Sequence, residues 1–268
     1  EAAVQSFLDD LAPDGDLARY LAAAQLAWLG DGTLAVHGAV TDESLGVVPA
    51  HPDRYGTVTS WVAVLNEFYA AEVGAWRASR GLDPTAGQAL IAYQAPLGDT
   101  KANQASVVYG RPTDDANNPR LPSRAVVEAL RRDGVKRLLV GHTPTGDVPA
   151  ALTDEGFAMV MADNSYGRVE AGSRVHVEGD VLSVRGATQL DDGTRVGVDY
   201  ALGARADDPL LGRRDRETGQ LVKARLASGD YLVFRALPNN QVEQRAVSAV
   251  ALRARPLGPY YAGAADEV

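Results

Sequence analysis

Val135-Lys136-Arg137-Leu138-Leu139-Val140-Gly141-His142-Thr143-Pro144 is an apolar run that ends on a glycine and a histidine. Such a run reads as a buried strand, and Gly141 lets the backbone turn sharply so that the imidazole stands at the strand's end. Carboxyl ends of strands are where open α/β sheets bind their ligands. The device occurs twice: Thr33-Leu34-Ala35-Val36-His37-Gly38-Ala39-Val40 is again an apolar strand closing on His-Gly. Half of the four histidines in the chain therefore sit at strand ends, a pairing that points to a ligand site more than either residue does singly. His51, beside Pro52-Asp53, reads as a loop residue. His176, between Val175 and Val177, reads as a strand-face residue.

Around these strands the pattern is mixed. Residues 16–29 carry apolar side chains at helical spacing and predict a helix feeding the first His-Gly strand. Residues 60–80 predict a second helix, with Trp61, Val64, Leu65, Phe68, Val73 and Trp76 on its buried stripe and the tryptophans as core. Residues 94–122 are rich in Gly, Pro, Asn and Asp and predict a long loop or site wall. Ser123 is positioned to cap a helix from Arg124 to about Leu130, directly before the Gly-His strand. Beyond Gly156 the period becomes two, with strands expected at 157–162, 174–177, 181–185, 194–200, 221–226, 231–237 and 242–252. Residues 203–219 read as a solvated, charged connection, and the tail beyond Pro256 as poorly anchored. The fold class expected is α/β, with an α/β portion over 1–170 and a β-rich C-terminal extension over 171–268.

Composition narrows the function. Zero cysteines exclude disulfides, thiolate metal sites and cysteine nucleophiles, so any metal must use nitrogen and oxygen ligands. A net charge of −9 speaks against a broad nucleic-acid-binding face, and no apolar run is long enough to span a membrane. These features fit a cytoplasmic protein with neither nucleic acid nor membrane as partner. Lysine occurs only at 101, 136 and 223, an arginine bias that suits phosphate but more simply reflects coding composition. No Gly-x-Ser-x-Gly elbow offers a platform for a serine nucleophile.

Val36-His37-Gly38, Gly141-His142-Thr143-Pro144 and Met161-Ala162-Asp163-Asn164-Ser165-Tyr166 together resemble, in order and rough spacing, the later motifs of the calcineurin-like metallophosphoesterases, phosphoprotein-phosphatase-like branch. The resemblance covers residues 15–170. It implies a layered αββα sandwich, of which this chain is the second half, and hydrolysis of a phosphoester at two divalent metal ions (manganese, iron or zinc). His37 and His142 would bind the same metal. Arg111 lies where related phosphatases place a phosphate-gripping arginine, its alternative being a surface salt bridge. Asn164 and Tyr166 match the Asn-Tyr loop that contacts phosphate, with a polar turn and a packed tyrosine as the alternative.

The family's earlier motifs, Asp-x-His, Gly-Asp-x-x-Asp-Arg and Gly-Asn, do not occur in the chain, and Pro144 stands where a second imidazole would complete Gly-His-x-His. Two imidazoles hold an ion loosely, since hydrolytic sites take three or more protein ligands. The expectation is therefore a fragment that is inactive alone. A complementary N-terminal segment or chain would supply the bridging carboxylate and a histidine general acid. The alternative is a noncatalytic, degenerate phosphatase-fold binding module.

Overall fold

The computed structural model describes residues 2–12, 15–79, 82–98, 102–164, 170, 172–203 and 208–263. Its first half runs α1 (Ala2–Asp10), α2 (Asp16–Ala23), β1 (Ala27–Gly30), β2 (Thr33–Val36), α3 (Val58–Ser79), α4 (Gln88–Tyr93), α5 (Arg124–Arg132), β3 (Arg137–Val140), β4 (Ala150–Asp154) and β5 (Phe157–Met161). The five strands form one mixed sheet in the order β1-β2-β3-β5-β4. Its middle strands β2, β3 and β5 are parallel, while β1 and β4 pair antiparallel at the edges. The class is α/β.

Alternation along β5 shows how the sheet is covered. Phe157, Met159 and Met161 join a core with Trp61 and Leu65 of α3 and Val126 and Leu130 of α5. Ala158 and Val160, one residue out of phase, join a second core with Leu182, Val198, Val222 and Leu232. Successive side chains of a strand leave opposite faces, so the sheet carries helices on one side and further β structure on the other. Trp61 is wholly buried and its indole N–H donates to the Val47 carbonyl at 2.9 Å, as a core tryptophan requires.

That second β layer contains two sheets. A meander of β6 (Arg174–Glu178), β7 (Val181–Gln189) and β8 (Arg195–Leu202) is antiparallel throughout. Beside it lie β9 (Arg213–Asp215), β10 (Leu221–Arg225), β11 (Tyr231–Leu237), β12 (Gln241–Val247) and, after the short helix α6 (Ala249–Arg253), β13 (Leu257–Pro259), in the order β12-β11-β10-β9-β13. Among the described residues no helix is long and apolar enough to cross a membrane.

Several expectations are corrected. The helix expected over 16–29 stops at Ala23, because the Asn66 side chain of α3 accepts from the Leu26 and Ala27 amides and donates to the Ala27 carbonyl, drawing 27–30 into a strand. The strand expected over 242–252 ends at Val247, where the Ser248 hydroxyl accepts from the Ala251 amide and starts α6. Residues 208–219 are anchored rather than solvated. Leu210, Leu211 and Asp215 are buried, and Arg213 pairs with Asp154 at 2.9 Å. The described part of the tail is tied down as well: β13 pairs with β9, and Tyr261 is 4% exposed with its hydroxyl donating to Asp154. Strand β4 and helix α4 were not anticipated.

Candidate functional site

The sheet brings three chain turns together. Residue 37 follows β2, residue 142 follows β3 and residue 163 follows β5, and these strands are neighbours running the same way. Their carboxyl ends therefore open on one edge, the position at which such sheets hold ligands. Backbone hydrogen bonds fix the edge: the Gly141 amide donates to the His37 carbonyl at 2.8 Å, and the Ala162 amide to the Val140 carbonyl at 2.7 Å. A Cβ at position 141 would stand 3.1 Å from the His37 carbonyl oxygen, and one at position 38 only 2.6 Å from that of Val108. Glycine at 38 and 141 is thus what allows these turns to close on each other.

The rings of His37 and His142 meet with centroids 5.2 Å apart, although the two residues are 105 positions apart in the chain. Tyr109 also packs on His142, with ring centroids 4.5 Å apart. His142 itself has φ 61°, and the Thr143 amide donates to the Gly141 carbonyl at 2.7 Å across it, closing a three-residue turn. A left-handed conformation is uncommon for a residue with a bulky side chain and concentrates where a side chain must be held for use. His37 is exposed, whereas His142 is half-buried and its Nε2 has no hydrogen-bond partner.

Burial lowers the pKa of the His142 imidazole, the Arg111 guanidinium and His37 lower it further, and Asp163 opposes them. A neutral ring with a free nitrogen is the state in which histidine ligates a metal. The electrostatics also locate Arg111 and Asp163 beside His142. Asp163 was quoted in the sequence motif but not singled out, although it lies beyond an apolar strand much as the histidines do. Asn164 donates its side-chain amide to the Ala162 carbonyl at 3.0 Å, leaving its Oδ1 buried without a partner. Tyr166 lies outside the described residues.

The remaining histidines behave as surface residues. His51 is exposed and its Nδ1 lies 3.0 Å from the Tyr55 hydroxyl; His176 is exposed, with Nε2 3.7 Å from Glu178.

Compared with known protein families, with curated proteins and with solved structures, the chain matches none of them.

The site must then be judged on its own donors. Metal–imidazole bonds are about 2.0–2.1 Å, so rings whose centroids lie 5.2 Å apart are close enough for one nitrogen of each to serve a common ion. Burial of an unpartnered His142 Nε2 is consistent with that use. Among the described residues no three His, Asp or Glu side chains are grouped to hold a metal.

Proposed function

We propose that this chain carries part of the active site of a metal-dependent phosphoesterase with a calcineurin-like αββα arrangement, His37 and His142 holding one of two divalent ions. The observation that carries this reading is the approach of the two imidazoles from the ends of adjacent parallel strands. When bound, such ions activate water and neutralise phosphoryl charge. The chain's own residues have distinct tasks. His37 and His142 present nitrogen ligands, and Tyr109 packs against the His142 ring and restricts its rotation. Arg111, close enough to depress the His142 pKa, grips phosphoryl oxygens with its planar fork and offsets the charge that builds on them. Asn164 would contact the same phosphate, and the resemblance gives Tyr166 the same role.

Because two imidazoles fall short of the three or more ligands of a hydrolytic site, the proposal includes a complementary N-terminal segment or chain bearing the Asp-x-His, Gly-Asp and Gly-Asn motifs. It would supply the bridging carboxylate and the general acid. The test is reconstitution: phosphatase activity on an aryl phosphate, with metal content by elemental analysis, for the chain alone and with a candidate complement. Metal and turnover are expected to rise together on mixing and to be lost together in His142→Ala. A metal content indifferent to both histidines would overturn the proposal in favour of a noncatalytic binding module.

A further inference from the structure

Beside the strand-end histidines, loop 143–147 and the β11–β12 hairpin enclose a cavity of about 750 Å³. Arg111 and His142 both stand on its wall, so the cavity begins where the phosphoryl group is proposed to sit. Of the rest of the lining, Asn117 and Gln241 are exposed and can hydrogen-bond a ligand, while Thr143, Thr145, Phe234 and the Asp147 carboxylate are buried behind them. Thr143 and Thr145 are 3% and 2% exposed, yet neither hydroxyl has a hydrogen-bond partner. Buried hydroxyls are normally satisfied, and leaving one without a partner destabilises the fold. The backbone here is nevertheless firmly held, since the fully buried Lys223 amine donates to the Thr145 carbonyl and lies 4.6 Å from the centre of the Phe234 ring. The loop is thus fixed, with its two threonine hydroxyls closed off from the cavity.

Resting on the phosphoesterase reading above, we propose that this cavity is the subsite for the organic group of a small phosphomonoester, a polyhydroxylated ring of sugar or nucleoside size. Cavities of about 300–1,000 Å³ are those that enclose drug-sized ligands. A phosphoserine side chain is too short to fill this one. A hydroxylated ring offers both donors and acceptors to asparagine and glutamine, which a purely aliphatic group does not. Arg111 on the cavity wall suits the phosphate, and the Asn117 and Gln241 side chains suit the hydroxyl groups of the ring.

Calorimetric titration of the full chain with inorganic phosphate, ribose 5-phosphate, adenosine 5′-monophosphate, adenosine and a phosphoserine peptide tests this without requiring turnover. One or both of the ring phosphates should bind at least roughly tenfold more tightly than inorganic phosphate, and the two ring probes distinguish a sugar site from a nucleoside site. The phosphoserine peptide should gain nothing. Ala236→Trp, which fills the cavity from β11, should abolish the ring advantage and leave inorganic phosphate binding unchanged; Leu237→Trp provides the same test should the first variant fail to fold. Equal affinities for inorganic phosphate and both ring phosphates, or a ring advantage that survives both tryptophan variants, would overturn the subsite. If adenosine binds as well as its monophosphate and inorganic phosphate does not bind, the phosphoesterase reading fails first, and the proposal falls with it.

Discussion

The two ends of the central sheet treat buried polar groups in opposite ways. At the end of β4, opposite Phe157 at the start of β5, Asp154 accepts from Arg213 at 2.9 Å and from the Tyr261 hydroxyl, while Arg124 stacks 4.3 Å over the Tyr261 ring. Every group there has a partner. At the other end, beyond Met161, His142 is held at positive φ. Of the six buried side-chain polar atoms without a partner among the described residues, four belong to His142, Thr143, Thr145 and Asn164. Since unsatisfied groups and left-handed residues each lower stability, their concentration at one edge marks where the molecule gives up stability, as the proposed site requires. The satisfied end is a clasp that fastens the C-terminal strands to the sheet.

Breaking the clasp should have the largest effect. Asp154→Ala strands the Arg213 charge and the Tyr261 hydroxyl in a site where the two ion-pair side chains are only 10% and 19% exposed. A loss of about 3–5 kcal/mol is expected in urea denaturation, as for removal of one partner from a buried pair. Next comes the opposite edge: Arg111→Ala in the reconstituted enzyme should cost about 2–4 kcal/mol of transition-state stabilisation, read as kcat/KM on an aryl phosphate. Its metal content should be unchanged. Full turnover in that variant would return Arg111 to a surface role.

The neighbouring Tyr260, which donates to Asp114, should reveal itself in alkali. Burial, reinforced by donation to Asp114, pushes the Tyr260 hydroxyl up to about 12 from its usual 10.0. The fold therefore keeps this proton when the unfolded chain has lost it. The associated stability is complete below pH 10 and disappears as pH climbs from 10 towards 12. Denaturation midpoints measured across that window should fall less steeply in Tyr260→Phe than in the parent. The smallest effect sharpens the contrast most: His142→Gly relieves a left-handed residue and should add about 1 kcal/mol of stability, while abolishing metal binding. A destabilised variant would mean that His142 is a packing residue.

How much of this was legible in the sequence divides along the same line. Both His-Gly turns and the Ser123 cap are local, written in an apolar run followed by glycine or in a serine before a helical stripe, and the Ser123 hydroxyl does accept from the Val126 amide. Strand β4 was hidden because all five of its residues are buried, so it lacks an alternating pattern, and Pro149 precedes it. Strand β1 was read as helix because nothing local announces that Asn66, 39 residues away, will bond to both backbone groups of Ala27. The anchoring of 208–219 and of the tail likewise depends on distant partners, Asp154 above all. At the site, the histidines were singled out by residue type and position and Arg111 by the resemblance, whereas the cavity beside His142 arises only when the β11–β12 hairpin lies against loop 143–147.

The sharing of one ion by His37 and His142 can be read directly from the imidazole resonances of the isotopically labelled chain during titration with zinc. With only four histidines the spectrum can be assigned by single substitutions. The account predicts that the His37 and His142 ring signals move together along one isotherm, that substituting either histidine removes the response of the other, and that His51 and His176 stay in place. Separate isotherms for His37 and His142, or a response of one that survives loss of the other, would contradict it.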